Sequence, residues 1–299
     1  MAAPCTVDEL LELIRKSGVV DSERLSAYVE KPRAKRESCA EPQEFAKMLV
    51  DGGIITKFQS EQYLMGKWRR FTIGNYAVLE KLGSGFEGSV YLCRSKSSRE
   101  LVAVKILPSP SQTRPVSVER FMQECRLLSQ MNHANIVRFH ETGCSDGLHF
   151  LSMEFVDGCS LQSTVGRKGP MDVARAAHYV KQAALGIQHI HSHGIAHRAI
   201  RPSDILVNSD GVAKIIDMGQ ADYFEALGRR TVKRYGFRSA FDFDRSHELG
   251  YLAPEQTRES SGGDARSDIY GLGATCYFCL TARAPFGSAH GREKLTSIR

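Results

Sequence analysis

The stretch YAVLEKLGSGFEGSVYLCRS (76–95), followed by LVAVKIL (101–107), restricts the possible folds more than any other part of the chain. Two alternating apolar runs flank a glycine-rich turn, which is a hairpin pattern. Gly83, Gly85 and Gly88 form G-x-G-x-x-G. In a dinucleotide-binding unit such glycines open a helix. Here the strand-like SVYLC follows them, so that reading is disfavoured. A glycine hairpin can instead lie over phosphates and offer backbone N–H groups without side-chain obstruction. Lys105 sits inside the third apolar run, where an ammonium group needs a charge partner. SVERFMQECRLLSQM (117–131) reads as an amphipathic helix carrying Glu124. Glu124 facing Lys105 would neutralise both and hold the lysine toward phosphates.

The first 70 residues have a different character. Thr6–Val7–Asp8–Glu9 is a capping-box pattern. Leu10, Leu11, Leu13 and Ile14 then supply an apolar helix face, and Ser17–Gly18 closes it. SGVVDSERLSAY (17–28) and GGIITKFQSEQY (52–63) share a glycine, two β-branched residues, a cap residue and a closing tyrosine at an offset of 35 residues. Asp21 and Thr56 are the two caps, with Gln59 completing a box in the second copy. Two helical hairpins of about 35 residues, packed as a small four-helix unit, are expected. The basic segment 31–36 between them reads as a solvated loop. The module carries no visible chemistry, so its expected role is interaction or regulation.

The net charge of +6 (40 Lys and Arg, 34 Asp and Glu) is spread along the chain and gives no reason to expect a nucleic-acid partner. Asp8, Glu9 and Glu12 interrupt the first apolar stretch, unlike a signal peptide. The most apolar run, YGLGATCYFCLTA (270–282), is 13 residues, short of the roughly 18 needed to cross a bilayer. Cys276 and Cys279 in that run read as helix core rather than as a metal or redox pair. Scattered cysteines fit a reducing cytoplasm.

Further motifs follow in order: HANIVRFHE (133–141), LHFLSMEFVDG (148–158), IAHRAIRPSDILV (195–207), AKIIDMG (213–219), GYLAPEQ (250–256) and SDIYGLGATCYFCLT (267–281). Together with the glycine hairpin, V-A-V-K and the helix glutamate, they resemble the eukaryotic-type (Hanks-type) bacterial Ser/Thr protein kinases. The resemblance implies an α+β, two-lobed kinase fold with a β-rich N-lobe and a helical C-lobe. The expected organisation is a helical module over 1–70, a linker at 71–75 and a kinase-like domain over 76–299. Residues 76–156 would form the N-lobe and hinge, and 157–299 a shortened C-lobe. The resemblance also implies ATP and Mg2+ as ligands. It assigns Lys105, paired with Glu124, to the α- and β-phosphates, and Met153 to the gatekeeper position. Glu154 and Val156 would offer hinge backbone groups. Val90, Ala103 and Leu206 would sandwich the base, and Asp217 would hold magnesium.

The departures from the family pattern bear on function. Where the family has His-Arg-Asp, this chain has His197–Arg198–Ala199. The missing aspartate would accept and orient the substrate hydroxyl. A positioned acid–base group is worth about 10²–10⁴-fold, roughly 3–5 kcal/mol of barrier. Arg201 stands for the loop lysine and keeps its charge without the compact ammonium. Asp204 stands for the metal-binding asparagine; it can ligate magnesium but adds negative charge beside a triphosphate. Glu248 occupies a family threonine position, and pairing with Arg201 is expected to close the emptied site.

The expectation is therefore a kinase-fold pseudokinase that binds ATP and acts by conformation or scaffolding. The alternatives are an active Ser/Thr kinase and a nucleotide-free scaffold. GRRTVKRYGFR (228–238) is strongly basic; it reads as a solvated loop or as a docking surface for an acidic or phosphorylated partner. Only 13 residues follow Phe286, fewer than the resemblance implies, so a fragment or shortened C-lobe is expected.

Overall fold

The computed structural model describes residues 3–30, 41–85, 88–107, 129–216, 248–257 and 263–286. These group into two compact units, 1–108 with 142–155 and 109–141 with 156–299.

The first unit begins with helix α1 (Val7–Ser17), whose N-cap Thr6 accepts from Glu9 N–H. The Glu9 carboxylate reaches back one residue further than a capping box requires, to Cys5 N–H at 2.7 Å. Gly18, at φ 65°, ends the helix in the left-handed region that glycine enters without cost. Helices α2 (Ser22–Glu30), α3 (Pro42–Asp51) and α4 (Lys57–Leu64) follow. Asp21 accepts from Arg24 N–H at the start of α2, and Thr56 with Gln59 forms a complete capping box on α4.

The repeat has a packing consequence. The closing tyrosine of each copy contacts the turn of the other. Tyr28 donates to Met48 O at 3.1 Å and fills the space that a side chain at residue 52 would need. Tyr63, 35 positions later, bonds Ser17 Oγ at 2.8 Å. Burial pushes the Tyr63 phenol up to about 12, opposed by that hydrogen bond.

Strands β1 (Thr72–Ile73), β2 (Tyr76–Gly85), β3 (Gly88–Ser95), β4 (Leu101–Ile106), β5 (Phe139–Ser145) and β6 (Leu148–Glu154) form one sheet in the order β1-β2-β3-β4-β6-β5. Residues 71–75, expected as a linker, instead carry β1. It pairs antiparallel with β2, and Phe71 and Ile73 are buried. The reason is packing: Phe71 stacks on Tyr63 at 4.7 Å between ring centroids. A boundary at residue 70 does not separate two cores. One apolar core runs from Leu10, Ile14, Phe45 and Tyr63 to Val78, Cys93, Val102, Val104 and Phe150.

Register explains how the sheet serves two faces. Opposed residues on neighbouring strands project to the same side, and alternate residues to opposite sides. Val102 and Val104 of β4 pair with Cys93 and Tyr91 and join the helical module's core. Ala103 and Lys105 therefore project to the other face. Polar anchors reinforce the packing on the helical side. Gln59 Nε2 donates to Val78 O at 2.7 Å, and Thr56 Oγ1 donates to Leu79 O.

In the second unit, β7 (Gly158–Ser160), β8 (Ile205–Asn208) and β9 (Ala213–Ile215) form a small antiparallel sheet. Helix α5 (Leu161–Lys168) is capped by Ser160, and α6 (Val173–Ser192) by Asp172. Helix α7 (Ala265–Thr281) begins at a capping box of Asp264 and Ser267 and packs against α6. Cys279 is buried and Cys276 half-buried on α7, both as free thiols. Among the described residues, no three or more His, Cys, Asp or Glu side chains cluster as a metal site would need, and no helix is long and apolar enough to cross a membrane.

Candidate active site

In the first unit, the glycine hairpin is built as its sequence implies. Gly83 pairs with Val90, and Gly85 with Gly88. Gly88 has φ 112°, and a side chain there would collide with Ile106 O, so only glycine fits. Open space surrounds Gly83. Phe86 and Glu87 at the tip lie outside the described residues.

Lys105 is 2% exposed. Its register partners are Val90 on β3 and Leu151 on β6. Ala103 pairs with Leu92 and Met153. Val90, Ala103, Lys105 and Met153 thus share one sheet face, opposite the helical module. Met153 and Ala103 are buried, whereas Val90 and Glu154 are half-buried. Glu154 pairs with Val102 at the end of β6. The expected partner Glu124 lies outside the described residues, as does Asp217.

The second unit holds the catalytic-loop segment by its backbone. Asp268 on α7, wholly buried, accepts from His197 N–H at 2.8 Å, from Arg198 N–H, and from His191 Nε2 at 2.8 Å. Arg198 adopts φ 66°, an uncommon value for a non-glycine residue. Its carbonyl accepts from Gln256 Nε2 at 2.6 Å. His197 is buried, with Nε2 3.0 Å from Ile216 O. Gly271 lets α7 approach this loop, because a side chain there would meet Ile200 O at 2.7 Å. Charge-assisted bonds from a buried carboxylate to backbone N–H groups are among the stronger ones. They fix the loop's path independently of residue 199.

Ala199, at the position where the resemblance leads one to expect a base, is exposed. Two residues on, Arg201 Nε lies 3.2 Å from Asp204 Oδ1. The same oxygen accepts from Ser203 Oγ at 2.7 Å. Asp204 is 4% exposed, and its backbone is held by Arg201 O and Ile216 N. Leu206 on β8 is half-buried, and Val156 is buried just before β7. The geometry thus joins Arg201 to Asp204; the side chain of Glu248, the expected partner, lies outside the described residues. Asp268 lies in the motif at 267–281, and nothing in that stretch by itself shows that its carboxylate holds the loop backbone. Ser203 and Gln256 lie inside the motifs at 195–207 and 250–256 without an assigned role, and only the folded loop shows their contacts.

A family model described as the protein kinase domain matches residues 76–299. The chain belongs to the protein kinase family. Its relatives are bacterial Ser/Thr kinases of Hanks type. It is 33% identical over 215 residues to the serine/threonine-protein kinase PrkC of Bacillus subtilis, covering 71% of this chain and 31% of that protein. To the serine/threonine-protein kinase pkn2 of Myxococcus xanthus it is 35% identical over 229 residues, covering 75% and 26%. To PknB of Mycobacterium tuberculosis it is 32% identical over 215 residues, covering 71% and 33%. The chain spans a third or less of the length of these relatives. The kinase fold accounts for the α+β division, with a strand-rich first unit and a helical second unit.

Proposed function

We propose that this kinase-family chain binds ATP with Mg2+ but transfers phosphate poorly or not at all, acting in signalling through conformation or scaffolding. The observation that carries this reading is the loop around Ala199. Asp268 anchors its backbone, yet the loop presents a methyl group where a carboxylate would orient the substrate hydroxyl. The Arg201–Asp204 contact adds support, because the guanidinium that stands for the loop lysine is drawn toward a carboxylate.

Residues of the first unit fit a nucleotide's phosphates and base. Lys105 supplies a buried cation, the glycine hairpin supplies backbone donors, and Val90, Ala103 and Met153 give an apolar face. Glu124 would pair with Lys105, and Glu154 and Val156 would offer backbone groups to the adenine. Leu206 would add apolar contact, and Asp204 and Asp217 would hold the metal. Magnesium, when bound, neutralises phosphate charge. Arg201 shields Asp204, which lowers the cost of a second carboxylate beside a triphosphate.

The names of the relatives favour a second reading, an active Ser/Thr kinase that tolerates Ala199 because phosphoryl transfer depends mainly on positioning and electrostatics. A nucleotide-free scaffold is a third. The basic segment 229–238 would take an acidic or phosphorylated partner under any of them; it lies outside the described residues. Free thiols in the described part agree with a cytoplasmic setting.

Thermal-shift titration with ATP, with and without Mg2+, tests the proposal on the wild type, Lys105→Met and Ala199→Asp. Saturation to 100 times Kd gives about 2.7 kcal/mol of stabilisation. The expected result is a shift lost in Lys105→Met, with phosphate incorporation gained only in Ala199→Asp. Incorporation by the wild type that Lys105→Met abolishes would establish the active kinase instead. No shift in any variant would leave the scaffold.

A further inference from the structure

The duplicated turns of the helical module line a cavity that the nucleotide reading does not use. Gly18–Asp21 from the first copy and Gly53–Thr56 from the second face it together. Strand β2, through Ala77 and Leu79, and the β3–β4 turn complete the wall. The volume is about 530 Å³, within the range of small-molecule sites. Among its described lining residues four are cationic, Arg24, Arg94, Lys96 and Arg99, and one carboxylate, Asp21, is present. That carboxylate already accepts from Arg24 N–H as the cap of α2.

The cations come from two segments, Arg24 from α2 and the other three from the end of β3 and the β3–β4 turn, and both segments are held in place. The Arg24 guanidinium donates to Gly53 O at 2.9 Å, across the two repeat copies. The β3–β4 turn is cross-tied: Ser95 N–H donates to Glu100 O, Arg99 N–H to Ser95 O, and Lys96 N–H to Asn75 O. Arg99 sits at φ 63°, a conformation a non-glycine residue adopts infrequently. The N-terminal residues of α2 and α4 line the same space, so both helix dipoles add positive potential. Thr56, Gln59 and Ser95 add neutral polar groups, and the aliphatic part of the wall comes from Val19, Val20, Ile54 and Leu79 among others. Arginine forks match phosphate oxygens in a way ammonium groups do not.

We propose that this cavity is a second ligand site, distinct from the kinase nucleotide site, and that it takes a small phosphoryl-bearing molecule. The site lies wholly within the first unit, and one wall is the strand that carries Gly83 and Gly85.

The test is thermal shift of the whole chain with sodium pyrophosphate, against sodium chloride at matched ionic strength. The melting temperature should rise by about 5 °C at 100 times Kd. The rise should be equal in Lys105→Met, which separates this site from the nucleotide site. Arg94→Gln combined with Arg99→Asn should weaken pyrophosphate at least tenfold; both side chains are exposed, and asparagine tolerates the left-handed backbone. Should that double variant lose its own melting transition, Arg24→Gln and Lys96→Gln, made singly, should each weaken binding severalfold. No rise beyond the chloride control would overturn the proposal. So would a rise that vanishes in Lys105→Met, or one that survives every arginine and lysine change. An equal response to citrate would overturn the assignment to phosphoryl groups.

Discussion

Replacing Gln59 by alanine probes the claim that the helical module and the β-sheet are one folding unit. Gln59 is 2% exposed and bridges the two. Its Oε1 accepts from Thr56 N–H at 2.9 Å, and its Nε2 donates to Val78 O at 2.7 Å. The alanine variant loses two hydrogen bonds, each worth about 1 kcal/mol net, and leaves a buried β2 carbonyl without that donor at about 1–3 kcal/mol. The expected loss is about 2–4 kcal/mol, or roughly 10 °C in Tm. Urea denaturation can be followed by the fluorescence of Trp68, the single tryptophan, at the junction between helices and sheet. Far-UV circular dichroism, which reports all helices and strands, is recorded alongside it. In Gln59→Ala the Trp68 transition should move to lower urea as one step, together with the strand signal of the first unit. Glu61→Ala, at an exposed position on the same helix, should change stability by less than about 0.5 kcal/mol. A Gln59→Ala midpoint equal to that of Glu61→Ala would refute the reasoning. So would a Trp68 transition that moves while the strand signal stays.

Other tests address the second unit and the thiols. Asp268→Ala should cost about 3–5 kcal/mol, because it strips the acceptor from His197 and Arg198 N–H groups at a buried site; a urea midpoint near wild type would show that the loop holds itself. Burial pushes the Cys93 thiol up to about 12 and the Cys279 thiol, with Cys276 adding to the effect, up to about 11. A thiol reagent at pH 8 should therefore label exposed Cys5 and Cys144 before buried Cys93 and Cys279, and mass mapping that finds Cys93 among the fast sites would contradict the packing. His133 is lowered from its ordinary value by burial first, then by His189, stacked at 5.0 Å, and by Lys214. The unfolded chain thus binds this proton more readily, so stability should fall as pH drops below about 6.5 toward the lower folded value. His133→Gln should reduce that acid loss, and an unchanged pH slope would refute the assignment.

Much of the local structure was legible in the residues. Thr6, Asp21 and Thr56 cap the helices they were expected to cap, because an N-cap bond spans only two or three residues. The glycine hairpin and the lysine strand formed where alternation and turn residues placed them. The expected linker was misread because β1 has only two residues, too few for any periodicity, and its neighbour Phe71 is buried by contact with a tyrosine eight positions away. The loop around Ala199 stands out in the sequence by its motif, but the Arg201–Asp204 contact needed the fold of the loop.

By itself the sequence determined the family, the order of elements and the loss of the loop carboxylate. These reside in residue identity and short-range spacing, which pass directly into local backbone conformation. Tertiary structure decided what long-range packing controls. The sheet turned Val102 and Val104 toward the helical module and Lys105 away from it, giving each face a separate role. Folding also brought Arg24 to one cavity with Arg94 and Arg99, which follow it by about 70 residues in the chain. No pattern along the chain encodes that gathering, because it depends on how two repeat copies and a hairpin turn close on one another in space.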